Sequence, residues 1–256
     1  MENTEVKPGA EPSAPRSGRP NLPSYQLTVV DSLDVEGHMR RVVLSLPDGN
    51  AFDYKPGQAI VMMIPTGNGE VGRRDYTIRA VDRDAGTISV DFFKHGDTPG
   101  PRWANGVKAG DTIDVKGPRG NTVFNPAAEW HLFAGDETCI PAIVHILENM
   151  PANTAAHVFI EVQDESGQVE VNTQADLDLR WLHRGEVPAG PGTFMADALE
   201  AFELPKGRGQ AYIIGETSNV RRQRHGLIAR GLTREQISSE GYWRPGRIGG
   251  HDHVND

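Results

Sequence analysis

The chain has a single cysteine, Cys139, among its 256 residues. One thiol cannot form an intrachain disulfide, complete a structural zinc site or hold an iron–sulfur cluster. No uninterrupted apolar run approaches the ~18 residues that a membrane-spanning helix needs, and the N-terminus lacks the apolar centre of a signal peptide. We therefore expect a protein of a reducing compartment, the cytoplasm, with no stable insertion into a membrane.

The chain has few positive charges: it contains 26 Lys and Arg residues against 35 Asp and Glu residues, which gives a net charge of −9. This balance repels a phosphate backbone, so it argues against a nucleic-acid or anionic-membrane binder. Any anion site must be local. A hydrophobic content of 37% with 29 glycines and 18 prolines indicates a globular protein with many turns. The length leaves room for two ordinary domains, and we expect a monomer.

The order of motifs along the chain predicts two different halves. Short β-rich runs separated by turn signals fill 24–126 with no helical period between them, which is typical of an antiparallel barrel or sandwich. Strands and helices then alternate through 127–247, which predicts a parallel α/β sheet. In that half WHLFAG leads into a helix with Thr138 as its possible cap. Residues 1–23 and 248–256 are predicted to be tails.

The first candidate site is the run Arg73-Arg74-Asp75-Tyr76-Thr77. On alternate strand positions Arg74 and Tyr76 share one face, where a guanidinium and a phenol could grip a phosphate and cover a flat ring. The alternative is a solvated basic strand edge, which is the commoner meaning of such a run.

A second candidate is the sequence DFFKHGDTPGPRW, in which a strand ends at His95 and a loop with Gly100, Pro101 and Arg102 follows. Glycine-rich backbone can approach a ligand closely and offer N–H groups to a pyrophosphate. The alternatives are a strand-end histidine bonded to backbone and a Trp103 that packs in the core.

The third candidate is the strand-to-helix junction Gly135-Asp136-Glu137-Thr138. Its acidic residues suit ribose hydroxyls or an adenine amine better than a phosphate. The dinucleotide fingerprint G-x-G-x-x-G is absent, which weakens the case for a tightly held nicotinamide cofactor.

The C-terminal region supplies a fourth candidate, an arginine-rich stretch from Arg221 to Arg247. Such a stretch is most often a solvated helix face, but in an acidic protein it could also attract an anionic ligand. His251 and His253 lack a third ligand, so no metal site is predicted there.

Taken together, the motifs RDYT, DFFKHG, GPRG, GDETCIPAI, Gly215-Glu216 and GYWRPG resemble in kind and order those of the siderophore-interacting FAD-binding proteins. These are a branch of the ferredoxin-reductase-like flavoenzymes. The resemblance runs from about Tyr25 to Gly246. It implies an antiparallel FAD-binding β-barrel followed by a smaller parallel-sheet domain of the NAD(P)H-binding type.

The same resemblance implies which residues bind FAD. It places Arg74 on the flavin phosphate, Tyr76 on the ring and Thr77 at the ring edge. The rest of the implied site comprises His95, Gly100, Pro101, Arg102 and Trp103, with Asp136 and Thr138 near the adenosine end.

For the iron complex, the resemblance implies a basic pocket to which Arg119 of GPRG belongs, with Lys94 and Arg244 as further candidates. Val61 and Ser238 stand where the family has other basic residues. The identity of the groups that receive the iron complex is therefore left open.

The activity implied by the resemblance is FAD-dependent reduction of a ferric siderophore, with NADH, NADPH or an electron-carrier protein as donor. No catalytic acid or resident metal is implied. Two alternatives stay open: a general NAD(P)H:flavin oxidoreductase, and a siderophore-binding protein without turnover.

Overall fold

A computed structural model describes residues 22–46, 52–67, 69–249 and 252–254 of the protein. Its first half is a closed antiparallel barrel with strand order β1-β2-β5-β4-β3-β6. The strands are β1 (Ser24–Val35), β2 (Met39–Ser45), β3 (Ala59–Gly67), β4 (Glu70–Asp82), β5 (Thr87–Phe93) and β6 (Thr112–Arg119). The predicted tail at 1–23 falls almost wholly outside the described residues.

Alternation of side chains explains why these six strands close. Along β3, Ile60, Met62 and Ile64 are fully buried in the barrel interior, and every second residue turns outward, as a pleated strand requires. Phe52, Phe92 and similar residues fill the centre. On β4, Tyr76 and Arg74 stand opposite Ile60 and Met62, so all four lie on the same face of the sheet.

One helix interrupts the barrel strands, although the sequence predicted a loop there. Helix α1 spans Pro99–Gly106 with proline in its first turn. In the first turn the fixed φ of proline suits a helix, and its missing N–H would have no partner there in any case. Ala104 of α1 is fully buried. The prediction of a helix-free barrel was wrong on this point.

The second half is a six-stranded sheet with the order β12-β11-β10-β7-β8-β9, in which five strands run parallel and β12 is antiparallel. The strands are β7 (Trp130–Asp136), β8 (Ala155–Val162), β9 (Asp176–His183), β10 (Gly209–Glu216), β11 (Ile237–Trp243) and β12 (Asp252–His253). The helices are α2 (Ile140–Glu148), α3 (Phe194–Ala201) and α4 (Thr217–Ala229). The predicted barrel followed by a parallel α/β sheet is confirmed.

Helices cover both faces of this sheet. Phe133 and Tyr212 pack with α2 on one face, whereas Leu132 and Ile213 pack with α3 and α4 on the other. Within the described part of the chain, no helix is long and apolar enough to cross a bilayer.

Four further details differ from the sequence-based expectation. Asp136, not Thr138, caps the short 3₁₀ turn that leads into α2, because its carboxylate accepts the Thr138 N–H at 3.0 Å. The strand β9 was not predicted. The arginine-rich C-terminal stretch is not one helix face, since α4 ends at Ala229 and β11 follows. Asp252–His253, in the segment predicted as a tail, pairs with β11.

Polar contacts fix the barrel against the α/β half. Arg79 of β4 forms two hydrogen bonds of 2.6 and 2.7 Å with the Glu148 carboxylate at the end of α2. The Tyr54 hydroxyl lies 3.2 Å from Nε2 of His145. A paired, partly buried guanidinium with two parallel bonds is geometrically specific, so it fixes how the two halves meet.

Candidate functional site

A cleft of about 270 Å³ lies where the barrel meets the α/β half. This size is at the lower end of small-molecule pockets, so a ligand as long as a dinucleotide would be only partly enclosed. The cleft brings together these residues predicted from the sequence: Arg74, Tyr76, Thr77, His95, Gly100, Arg119 and Thr138. Residues that are far apart in the chain therefore share one surface.

Arg74 lies on the barrel side of this cleft. Its Nη1 donates to the carbonyl of Arg73 at 2.8 Å. A Cβ at Gly249 would lie only 2.3 Å from that same nitrogen, so the absence of a side chain at 249 leaves room for the guanidinium. A half-buried cation beside an open cleft suits a phosphate oxygen.

Tyr76 packs against the barrel core beside Arg74. Its ring centroid lies 4.0 Å from that of Phe92, with the planes tilted by 42°. Burial raises the pKa of Tyr76, and the nearby Arg74 charge opposes this only in part. The phenol therefore stays neutral at physiological pH and presents both an apolar ring and a hydroxyl.

The opposite wall comes from β11, which the sequence did not assign to the site. Tyr242 and Trp243 line the cleft, and the Tyr242 hydroxyl shares a hydrogen bond with the side chain of Thr77. Burial is the main cause of the raised pKa of Tyr242. The motif GYW offered aromatic surface as a signal, but nothing in the sequence placed it opposite Thr77.

The Asp136 carboxylate connects Thr138, Glu216 and Trp243 through hydrogen bonds. Its Oδ1 accepts the N–H and the Oγ1 hydroxyl of Thr138 at 3.0 and 2.5 Å. Its Oδ2 accepts the backbone N–H of Glu216 at 3.0 Å and the indole N–H of Trp243 at 2.9 Å. With both oxygens engaged in this way, Asp136 positions Thr138 and Trp243 rather than reaching a ligand itself.

His95 lies two residues past the end of β5, with its ring stacked on Phe93 at a centroid distance of 5.9 Å. Burial lowers the pKa of His95, and the charge of Asp136 opposes that shift. The imidazole is therefore neutral at pH 7, with one nitrogen that donates and one that accepts.

Other predicted residues lie outside the cleft lining. Arg102 forms a two-bond pair with Asp97, and Trp103 packs 5.6 Å from Phe92 on the barrel side. Pro101 is buried in α1. Since prolines at 99 and 101 lack an N–H, Gly100 is the residue of this first turn whose N–H can face a ligand. The predicted glycine-rich cradle is thus reduced to one backbone donor.

The two weaker candidates for the iron complex also lie elsewhere. Lys94 Nζ pairs with Asp34 at 3.3 Å. The exposed Arg244 lies 3.8 Å from Asp252.

Arg119 does line the cleft, and Asp75 stands beside it. The Nη1 atom of Arg119 is 3.3 Å from the Oδ1 atom of Asp75. Val61 is fully buried next to Asp75 in the register of β3 and β4, and the Ser238 hydroxyl lies 3.4 Å from that of Thr122. Over the described residues, no group of three or more His, Cys, Asp or Glu side chains could hold a metal ion.

The residues of the cleft fit FAD. A partly buried guanidinium is available for the pyrophosphate, and the aromatic rings of Tyr76, Tyr242 and Trp243 border a space for a flat ring system. The hydroxyls of Thr77 and Thr138 can bond polar ring or ribose atoms. The barrel followed by the parallel sheet is the ferredoxin-reductase-like fold, which solved reductases share.

Comparison with known proteins identifies the family. Residues 65–122 match the model of the siderophore-interacting FAD-binding domain, and residues 128–246 match that of the siderophore-interacting protein. The chain belongs to the siderophore-interacting protein family, as the sequence motifs indicated.

Relatives span most of the chain. The uncharacterized protein Rv2895c of Mycobacterium tuberculosis is 31% identical over 88% of this chain and 92% of its own length. The ferric vibriobactin reductase ViuB of Vibrio cholerae is 32% identical over 68% of this chain and 65% of its own length. A siderophore utilization protein from T. fusca has a TM-score of 0.78 and 30% identity, covering 88% of this chain and 94% of that one.

Proposed function

We propose that this protein is an FAD-dependent oxidoreductase that reduces ferric siderophores and thereby releases iron(II). The observation that carries the proposal is the cleft in which Arg74, Tyr76 and Thr77 of the barrel face Tyr242 and Trp243 of the α/β half. The family match and the name of the relative ViuB support the same reaction.

FAD supplies the conversion of a hydride, which carries two electrons, into the single electrons that iron(III) accepts. The chain's own residues then have binding roles. Arg74 would hold the pyrophosphate, Tyr76 would support the ring, and Thr77 would bond its edge. Tyr242 would limit access of water from the opposite wall.

Release of the metal follows from coordination chemistry. Hard oxygen ligands hold iron(III) much more tightly than iron(II), so reduction weakens the complex. The protein needs no acid or base for this step. Its task is to bring the iron complex to the cleft, which Arg119 and Asp75 line.

The electron donor is proposed to bind at the α/β half. Strand order reverses between β10 and β7, and open α/β sheets bind nucleotides at the carboxyl ends of strands beside such a reversal. NADH and NADPH are both candidates, and a carrier protein is a third. The free, buried Cys139 suits a reducing compartment such as the cytoplasm.

A rapid-mixing experiment tests the proposal. The purified protein, loaded with FAD, is mixed without oxygen with NADH or NADPH, and the visible absorbance of the bound flavin is followed. A ferric siderophore is then added together with an iron(II) chelator. We expect loss of the flavin absorbance, its return on addition of the ferric complex, and formation of the coloured iron(II) chelate.

The other outcomes identify the rival functions. Electron transfer to free flavin with no response to the ferric complex would favour a general flavin reductase. Binding of the ferric complex without any flavin change would favour a binding protein. A variant with Arg74→Ala should retain less FAD, whereas the neighbouring exposed Arg73→Ala removes the same charge and should not.

A further inference from the structure

The charges that line the cleft are balanced. Among the described lining residues there are equal numbers of cations and carboxylates: Arg74, Arg119 and Arg247, and Asp75, Asp91 and Glu240. Asp91 has an ion-pair partner outside this set, the Arg41 guanidinium at 2.7 Å. Arg247 is held by Asp252. The lining as a whole therefore has no excess of positive charge with which to attract an anionic iron complex in addition to the phosphates of FAD.

Arg119 in particular does not act as an isolated cation. Asp75 lies 3.3 Å from it, and the two side chains are 22% and 26% exposed for Asp75 and Arg119, respectively. In this partly buried setting the pair is screened less by salt than a surface pair would be. A ligand at this end of the cleft meets a guanidinium and a carboxylate together.

Glu240 adds a second carboxylate from the opposite wall. It is half-buried on β11 and has no ion-pair partner among the residues that the structure describes. Both Glu240 and Asp75 act on the Tyr242 hydroxyl, where their negative charges raise the pKa of the phenol. The two carboxylates thus line the same cleft from two different strands.

We propose that this end of the cleft receives an uncharged or positively charged ferric complex, of the tris-hydroxamate class, and that Asp75 and Glu240 set this preference. The inference rests on the proposed function, because it names the substrate class of the same site.

The charge of the complex distinguishes the two common classes of oxygen ligand. Three hydroxamate groups carry one negative charge each and neutralise iron(III), whereas three catecholate groups carry two each and leave the complex strongly anionic. Glu240 repels the second kind, Asp75 offsets the attraction that Arg119 would exert on it, and the phosphates of bound FAD would add to the repulsion. Like-charge contact is an effective way to reject a competing ligand.

Binding of gallium(III) complexes tests the inference without any electron transfer, because gallium(III) matches the charge of iron(III) and is not reduced. Dissociation constants are measured by calorimetry for gallium-loaded ferrioxamine B, which is cationic, ferrichrome, which is uncharged, and enterobactin, which is anionic. We expect the first two to bind more tightly than the third. Added salt should weaken the cationic complex and strengthen the anionic one.

Variants of Asp75 and Glu240 test whether these two residues set the charge preference for the bound complex. Asp75→Asn and Glu240→Gln should each tighten the anionic complex by about three- to tenfold and weaken the cationic one. The control is Glu200→Gln on α3, an exposed glutamate that removes the same charge away from the cleft lining and should change neither constant. Since Asp75→Asn also releases Arg119, Glu240→Gln and the salt dependence of the unaltered protein stand as independent measurements.

Tightest binding of the anionic complex, or weakening of that complex by salt in the unaltered protein, would overturn the inference. The proposed function would survive that result if ferric enterobactin reoxidised the bound flavin. If no ferric complex reoxidises the flavin but the charge order in gallium binding holds, the proposed reaction fails and the charge preference stands.

Discussion

The hydroxyl oxygen of Tyr76 occupies the space that a side chain at residue 100 would need: a Cβ built on Gly100 would lie 1.7 Å from it and 2.9 Å from the Cζ atom of the same ring. This relationship ties the first turn of α1 to the strand that carries the candidate FAD residues. Glycine at 100 is required for close packing rather than for an unusual backbone angle, since its φ is not in the left-handed region.

The first prediction follows from this contact. Gly100→Ala should push Tyr76 out of place, weaken FAD binding by tenfold or more, and lower the free energy of unfolding by about 1 to 3 kcal/mol, the usual range for overpacking. Gly106→Ala is the matched control, because it lies in the same helix and nothing is within 4 Å of its added Cβ. Titration with FAD and thermal unfolding measure both effects. Equal behaviour of the two variants would show that the Tyr76 contact does not matter.

Arg74 carries the second prediction. One charge-assisted phosphate contact contributes about 1.5 to 3 kcal/mol, so Arg74→Ala should raise the dissociation constant for FAD by about 10- to 150-fold. Arg73→Ala removes an exposed arginine of the same strand and should change FAD binding less than twofold. Fluorescence titration of the protein freed of flavin gives both constants. An unchanged constant in Arg74→Ala would place the phosphate elsewhere.

Much of the fold could be predicted because its signals are local. The barrel strands alternate between buried and outward residues, and the helical spacing after β7 marks α2. Helix α1 is short, with Pro99 and Pro101 in its first turn, where proline is tolerated, and it has no extended helical period in the sequence. Strand β9 has the period-2 pattern DLDLRWLH, a local signal that does indicate a strand.

The sequence predicted the barrel side of the candidate site but not the facing wall. The residues from the barrel fall in short motifs, whereas the facing wall depends on contacts between distant segments. Trp243 and Asp136 are 107 residues apart in the chain and still form a hydrogen bond. The pairing of Arg119 with Asp75 likewise depends on how β6 and β4 lie beside β3. Such contacts leave no periodic signal in a single sequence.

The third prediction concerns Asp136. Asp136→Asn replaces one acceptor oxygen by an N–H group that would face a donor, so it should lower the free energy of unfolding by about 2 to 4 kcal/mol. It should also shift the tryptophan fluorescence, since the Trp243 indole loses its partner. Asp164→Asn is the control: Asp164 caps a similar 3₁₀ turn, accepting from Ser166, but is exposed. A loss in Asp136→Asn no larger than in the control would contradict the connecting role of Asp136.

The last prediction is a pH dependence that originates at Glu161. The side chain of Glu161 is 13% exposed and lies in a largely buried cluster, in which Arg184 forms ion pairs with both Glu137 and Glu161. Burial is the main cause that raises its pKa from about 4.5 to about 7, and the charge of Asp136 adds to the effect. An acid with a raised pKa in the folded state destabilises the fold once it ionises. Its favourable contribution is therefore present below about pH 4.5 and is lost as the pH rises through about 7.

Glu161→Gln should accordingly make the protein more stable at pH 8, by about 2 to 3 kcal/mol, and change its stability little at pH 5, where Glu161 is already protonated in the folded state. Glu165→Gln, an exposed neighbour in the next turn, is the control for the change in net charge. Chemical denaturation at both pH values measures the difference. If Glu161→Gln instead destabilises the protein at pH 8, the ion pair of Glu161 with Arg184 outweighs the cost of burial, and the carboxylate is a stabilising member of the cluster.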